Sequence, residues 1–495
     1  MRSIGFDNEK YIKLQSQKIQ ERISIFGGKL YLEFGGKLFD DYHASRVLPG
    51  FCPDSKIKML LSLKDDAEVI ITVSASAIEQ NKIRGDLGIT YDMDTLRLID
   101  SFNEIGIAVG GVVITQYTNH TSVDIFIKKL QNLGIRVYKH YPIEGYPTNI
   151  KKIVSDNGYG KNEYIETSHS LVVVTAPGPG SGKMATCLSQ LYHDNKRGIK
   201  AGYAKFETFP IWNLPLRHPV NMAYEAATVD LNDVNMIDPY YLEANGTTAV
   251  NYNRDIEIFP VLRAMFEQIY GECPYKSPTD MGVNMAGFCI TDDEAVCNAA
   301  KMEIVRRYYD TLCRKRNGIA DAEEVYKAEL IMNQVNVDVG FRKVVAAALE
   351  KSERSGGTPA VAIELLDGTI VTGKTSNLMG ASAACLLNAL KQLGGIEDGH
   401  LLLPVEVIEP IQRLKTENLG NNNPRLHADE ILIALAISAN TCEIAAKAME
   451  QLPKLKGCQA HISVIGSSID GNVYRRLGMN LTSEPVYETN KFYNK

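Results

Sequence analysis

At 495 residues the chain is too long for one compact core and predicts about three domains. Apolar residues make up 45% and charged residues 23%, a globular make-up that excludes extended disorder. A net charge of −6 excludes a protein that grips a nucleic-acid backbone, since even the densest basic run, Arg314-Lys315-Arg316, reads as a solvated helix end.

The N-terminal stretch 1–24 is charged throughout and holds no apolar signal core, and no apolar run approaches the ~20 residues of a membrane helix. Nine cysteines without a Cys-x-x-Cys pair suit reduced thiols. A soluble, cytoplasmic protein is expected. Residues 23–39 then carry an echo, Phe26-Gly27-Gly28-Lys29 and Phe34-Gly35-Gly36-Lys37, which predicts a β-ribbon with glycine turns.

Strands and helices alternate from there. Strands are predicted at Ala67–Val73, Ile107–Ile114, Ile135–His140, Leu171–Thr175 and Gly198–Phe206, and helices at Met93–Ile105, Val123–Leu133 and Lys183–Asp194. Short connections between them imply a mainly parallel, three-layer α/β domain over residues 1–288. From Thr291 the period becomes helical, with a capping box at Thr291 and Glu294 and further helices at Ala320–Gln334 and Phe341–Ser352, giving an α-helical segment over 289–356. A C-terminal α/β unit over 357–495 opens with a hairpin turning at Asp367-Gly368. It continues with helices near Met379–Leu393, Val405–Leu414 and Ala428–Gln451 and a strand at Ala460–Ile465.

Two segments compete as phosphate loops. Gly368–Thr375 matches the pattern G-x-x-x-x-G-K-[ST] in full, but its interior Thr-Ile-Val-Thr is β-branched and prefers the second arm of the hairpin. Ala176–Lys183 breaks the pattern twice, with Pro177 for the first glycine and Met184 for the hydroxyl that ordinarily ligates Mg²⁺. Its context is nevertheless right, because an apolar strand feeds small, flexible residues that open into a helix. Gly178, Gly180, Ser181, Gly182 and Lys183 therefore become the expected phosphate site, with Lys205 at the end of the following strand as a further cofactor contact. Thr186 or Ser181 is the substitute for the missing hydroxyl, unless carboxylates and substrate carry the metal.

Residues 205–284 are rich in Asp, Asn, Arg and Pro and weakly periodic, as functional loops are. Glu207, Asp230 or Asp233 could hold Mg²⁺, Arg254 could clamp a phosphate or carboxylate, and Asp255, Glu225 or His218 could act as general base, with Glu207 also a catalytic candidate. A thinner metal constellation, His427 with Glu430 and Cys458 with His461, has zinc-ligand residue types but not the spacing of a zinc deaminase, so zinc is not expected.

Six strings in order, Pro177–Lys183, Lys205–Thr208, His218–Asn221, Asn251–Asp255, Ser277–Asn284 and Asn423–His427, resemble the bacterial family called domain of unknown function 1846 (UPF0371), over essentially the whole chain. The resemblance implies an N-terminal α/β domain, a helical segment and a C-terminal part of cytidine-deaminase-like topology. It implies no particular reaction. Deaminase zinc ligands are absent around Met379–Ala384, and no His-Glu-x-x-His supports the zinc-protease label some relatives carry. The expected function is that of a kinase or ATP-dependent ligase using ATP or GTP with Mg²⁺ and a small-molecule substrate. The alternatives are a nucleotide-responsive binding or regulatory protein without turnover, and a zinc hydrolase built on the C-terminal domain. No nucleic-acid or membrane partner is expected, and a homo-oligomer is left open.

Overall fold

The computed structural model describes residues 4–39, 41–84 and 87–489. They form two compact units, one of residues 4–224 and 233–296, the other of residues 225–232 and 297 onward.

The first unit is organised by a sheet of seven strands, β1 (Leu30–Phe34), β2 (Ala67–Ser74), β3 (Ala108–Thr115), β4 (Val137–Lys139), β5 (Leu171–Thr175), β6 (Gly202–Phe206) and β7 (Gly282–Val283). Their spatial order is β7-β6-β1-β5-β2-β3-β4, and every neighbouring pair is parallel. Strands β1, β2 and β5 are buried along their whole length, which is why they read as near-continuous apolar runs rather than clean alternation.

Connections run outward in both directions from the centre. Helices α1 (Tyr91–Glu104) and α2 (Thr121–Asn132) accompany the steps from β2 to β3 and from β3 to β4, whereas α3 (Lys183–Lys196) accompanies the opposite step from β5 across β1 to β6. Right-handed crossovers in opposite directions put these helices on opposite faces. The α3 face is closed by α4 (Asn253–Tyr270), with Leu188, Leu191, Phe259, Leu262 and Phe266 packed on Tyr31, Val172 and Tyr203. Buried Asp194, near the end of α3, accepts hydrogen bonds from Tyr31 (2.7 Å) and Tyr164 (2.9 Å) and pairs with Lys29 (2.9 Å), which fastens the helix to β1.

The second unit contains helices α5 (Asp293–Arg316, which enters it from the first unit), α6 (Ala322–Gln334) and α7 (Lys343–Arg354), followed by the hairpin β8 (Ala360–Glu364) and β9 (Ile370–Lys374). With β10 (Gln459–Ile462) and β11 (Asn480–Ser483) the hairpin makes a mixed sheet of order β9-β8-β10-β11, antiparallel except between β10 and β11. Helix α8 (Ala381–Gly394) and helices α9 (Ala428–Ser438) and α10 (Glu443–Met449) supply its apolar core, and Val344 and Ala348 of α7 pack on Ala362. Wholly buried Arg342 pins β10 to β11, donating to the Gln459 side chain (2.6 Å) and to the carbonyls of Ala460 and Asn480 (both 3.1 Å).

Three local expectations are corrected. Residues 23–39 are no ribbon, because Gly27 and Gly28 end a helix (Asn8–Ile25) and Leu30–Phe34 pairs in parallel with two distant strands. The stretch 428–451 is two helices, broken at Asn440-Thr441. Helix α5 is capped by Asp292, whose carboxylate accepts the Ala295 N–H (3.0 Å), not by Thr291. Among the described residues no helix is long and apolar enough to cross a membrane.

The segment with the complete textual phosphate-loop pattern is β9 and the turn before it. Its Gly373 lies under α8, where a Cβ would stand 2.3 Å from the Cys385 nitrogen. Gly373→Ala is therefore expected to destabilise this unit by about 1–3 kcal/mol through overpacking, seen as a lower melting temperature by calorimetry. An unchanged melting temperature would contradict the close approach.

Candidate functional site

Strand β5 is the fourth of seven, and the chain leaves it toward β6 while its other neighbour, β2, leads toward β3. Ligands of open parallel sheets bind at the carboxyl ends of strands where the direction of winding reverses, and the turn Ala176–Gly182 stands there. Its glycines are used. Gly180 and Gly182 have φ of +77° and +82°, a Cβ on Gly178 would lie 2.2 Å from the Tyr91 hydroxyl, and one on Gly182 would lie 2.9 Å from Thr115 Cγ2. Ser181 is buried within the turn, its hydroxyl donating to the Gly178 carbonyl (2.9 Å) while its own carbonyl accepts from Thr115 (3.0 Å).

Helix α3 begins at Lys183 with no side-chain cap, so its first-turn amides face outward from the turn. Lys183 makes no hydrogen bond or ion pair with any described residue. A cation in the first turn opposes the helix dipole, and the two positive features together suit an anion. Met184 packs against the core, so the position that ordinarily bears a metal-binding hydroxyl here serves folding. The Thr186 hydroxyl is buried without a partner.

Two strands over, the end of β6 carries a charged cluster. Lys205 and Glu207 lie two residues apart in the chain and meet, Nζ to Oε1, at 2.5 Å, while Asp255 in the first turn of α4 pairs with the same Lys205. Glu33 of β1 is in register with Lys205 and accepts from the Tyr203 hydroxyl (2.6 Å). Burial opposes the charge on Lys205, yet Asp255, Glu207 and Glu33 raise its pKa above the ordinary lysine value. Burial also pushes the Glu207 carboxyl up, to about 7, with Lys205 pulling it down and the Asp255 and Glu33 charges adding to the rise.

Glu207 opens onto a small, half-open cleft of about 20 Å³ whose walls include Trp212, Val250, Asn251, Thr279 and Asn284. A hydrogen-bonded lattice shapes it. Asn284 donates to the carbonyls of Thr208 (3.1 Å) and Pro210 (2.9 Å), Trp212 Nε1 donates to the Asn284 carbonyl (2.9 Å), and Asn251 donates to Thr279 (3.2 Å), which donates to buried Asp238 (2.6 Å). Asn221 clamps Ile211 through both its backbone N–H (2.7 Å) and carbonyl (3.1 Å). Three of the six strings singled out in the sequence thus line this cleft, and a fourth reaches it only indirectly, through the hold of Asn221 on Ile211. The turn after β5 is a fifth, roughly 10 Å away at two strand spacings.

The remaining candidates are placed differently. Buried Asp233 pairs with the largely exposed Arg254 (3.3 Å), and His218 is held by Asp293 (3.0 Å) and the Val220 N–H (3.3 Å) and does not line the cleft. Asp230 and Glu225 belong to the second unit, where Asp230 stands 4.0 Å from Arg314. Glu207 and Asp233 are each paired with a cation, so they do not present a ready pair of carboxylates to a metal. In the second unit His427 stands 3.5 Å from Asp470, Glu430 pairs with Lys415 (2.8 Å), and His461 contacts Thr482 (2.8 Å) and Glu484 (3.2 Å), so these candidate zinc ligands have separate partners. Trp212, Tyr91, Thr115 and Glu33 were not expected as site residues. Only Trp212, the sole tryptophan and set within the polar stretch, carried a signal in the sequence.

Comparison with known proteins agrees with this whole-chain pattern. Residues 4–336 match the family model described as domain of unknown function DUF1846, N-terminal, and residues 340–493 match its C-terminal counterpart. The chain is 58% identical to a UPF0371 protein of Streptococcus thermophilus over 495 residues, and 57% identical to UPF0371 proteins of Streptococcus pyogenes and Streptococcus pneumoniae, covering all of each chain in every case. The chain belongs to the DUF1846 family.

The Glu207 carboxyl binds its proton more tightly when folded than at its ordinary value of 4.5, so its burial costs nothing at low pH and increasingly more as pH rises from about 4.5 to about 7. Removing the ionisable group by Glu207→Gln is expected to shift the stability difference in favour of the variant across that window, by on the order of 3 kcal/mol at most. Urea unfolding of both proteins at the two ends of the window measures it, and a difference that does not change with pH would contradict the raised value.

Proposed function

From the geometry of the turn, we propose that the chain is a nucleotide-binding enzyme of kinase or ATP-dependent ligase type, acting in the bacterial cytoplasm on a small-molecule substrate. The observation that carries this reading is Lys183, an unpaired cation at the start of a 14-residue helix leaving the central strand of a parallel sheet. In this reading the turn is a variant phosphate loop. The amides of Gly180, Ser181, Gly182 and Lys183 surround the phosphates of ATP or GTP, and the Lys183 ammonium takes the outer phosphate charge. Magnesium enters on the nucleotide oxygens, as it commonly does when few protein ligands are offered. Glu207 is the proton-transfer group, since a carboxyl near 7 exchanges its proton at neutral pH, with Lys205 and Asp255 positioning it. Arg254 is exposed enough to swing toward an anionic group.

A second reading, a nucleotide-responsive binding protein without turnover, is favoured by one feature. Met184 packs against the core and the Ser181 hydroxyl is spent on Gly178, so neither supplies the hydroxyl that ordinarily fixes the metal. For the second unit, the hairpin followed directly by a helix supports the cytidine-deaminase-like topology, without deaminase chemistry.

Calorimetric titration of ATP and GTP, with and without Mg²⁺, tests the site. Lys183→Ala is expected to weaken binding by about tenfold or more, equivalent to ~1.4 kcal/mol, and Gly182→Ala to weaken it similarly by straining a residue at positive φ. Nucleotide bound with equal affinity by Lys183→Ala, or not bound at all, would sink the proposal. Tight binding without product after prolonged incubation selects the second reading.

A further inference from the structure

The cluster behind the cleft is short of positive charge. Glu33, Glu207 and Asp255 share one lysine, and Asp238, fully buried, stands behind Thr279. Beside this cluster, though not among the residues that line the cleft, Tyr252 is also unsatisfied. It is only 3% exposed, its hydroxyl meets no hydrogen-bond partner among the described residues, and the carboxylates acting on it are those of Glu207, Asp233 and Asp255. A buried phenol left unpaired costs about 1–3 kcal/mol unless a ligand or water satisfies it.

The cleft itself is aromatic on one side. The Trp212 ring is fixed through Nε1 and sits 5.8 Å from Tyr241 and 5.9 Å from Phe288 between centroids, with Val250 and two prolines completing the apolar wall. No lysine or arginine lines it, and its one ionisable group is Glu207. An anion would be repelled here. A magnesium ion needs a near-octahedral shell of oxygens, for which a single carboxylate is too little. An organic ammonium meets all the features, because it donates to a carboxylate and settles on an indole face while its carbon chain covers apolar walls.

We propose that the cleft between Glu207 and Trp212 is a binding site for a small molecule bearing a primary amine in its ammonium form. The binding stands on the cleft alone. Only its place in catalysis, as the amine partner of an ATP-dependent ligase, rests on the nucleotide reading above. Ionised Glu207 is required, and the groups that set its charge are Lys205 near the end of β6, Asp255 from α4 and Glu33 from β1. Tyr224 and Tyr252 stay protonated, both phenols pushed up by burial first, then Tyr224 by Glu207 and Asp233, and Tyr252 by Tyr224 and Glu207.

Because the chain has one tryptophan, its intrinsic fluorescence reports this cleft directly. The full-length protein, without nucleotide, is titrated at constant ionic strength with n-butylammonium chloride, n-butanol and magnesium chloride. A saturable change is expected with butylammonium only, roughly tenfold tighter at about pH 8 than at about pH 6 because Glu207 ionises between them. It should be lost in Glu207→Gln of unchanged far-UV circular dichroism. Equal response to butanol, a pH-independent affinity, competition by magnesium, or no saturable change with butylammonium would each overturn the proposal. If the variant fails to fold, the pH dependence of the wild type decides alone. As no nucleotide is present, failure here leaves the Lys183 reading standing.

Discussion

A lysine ammonium buried at the end of a parallel sheet must be matched by carboxylates or it unfolds its surroundings, and Lys205 is matched three times over. The matching decides more than local charge. Glu33 comes from β1, Glu207 from the residue after β6, and Asp255 from the first turn of α4, so one cation sets how two strands and a helix meet. Glu207, the member that opens onto the cleft, has its carboxyl pushed up by burial first, against the pull of Lys205, with the Asp255 and Glu33 charges adding to the rise.

The turn after β5 uses different physics for a similar end. Its polarity comes from backbone amides and a helix terminus, held by Thr115 and Tyr91, rather than from a set of ionised side chains. Such a loop tolerates change where the side chain points into the core, as at Met184, and resists it where a Cβ would strike Tyr91 or Thr115, as at Gly178 and Gly182. A search by residue pattern alone selects Gly368–Thr375, a hairpin arm whose glycine is there to let α8 approach.

Much of the architecture was legible because strand and helix periods are local. The alternation through Ala67–Phe206, the hairpin at Asp367-Gly368 and the helix opening at Lys183 all follow from short-range pattern. The failures have physical causes. Glycine turns flanking an alternating pentad look the same whether the strand pairs with its neighbour or with residues 141 and 172 positions away, as Leu30–Phe34 does. Apolar periodicity runs across Asn440-Thr441 although the backbone does not continue the helix. The residues that line the cleft all come from the polar stretch 205–284, but its pattern gave no sign of the pairing of Asp233 with Arg254, nor of the placement of Asp230 in another unit. Glu33 was invisible because its neighbours in space are remote in sequence.

The strand order has a consequence for how the protein is made. Strands β1 and β2 are not neighbours, since β5 stands between them and pairs with both. A chain emerging from the ribosome therefore cannot close the centre of this sheet until residue 175 is available, and until then β1 lacks its flanking partners. Such non-local closure is slow and leaves strand edges exposed meanwhile. The central strand β5 is thus the keystone of the sheet, and the turn that follows it takes its place only when that strand does.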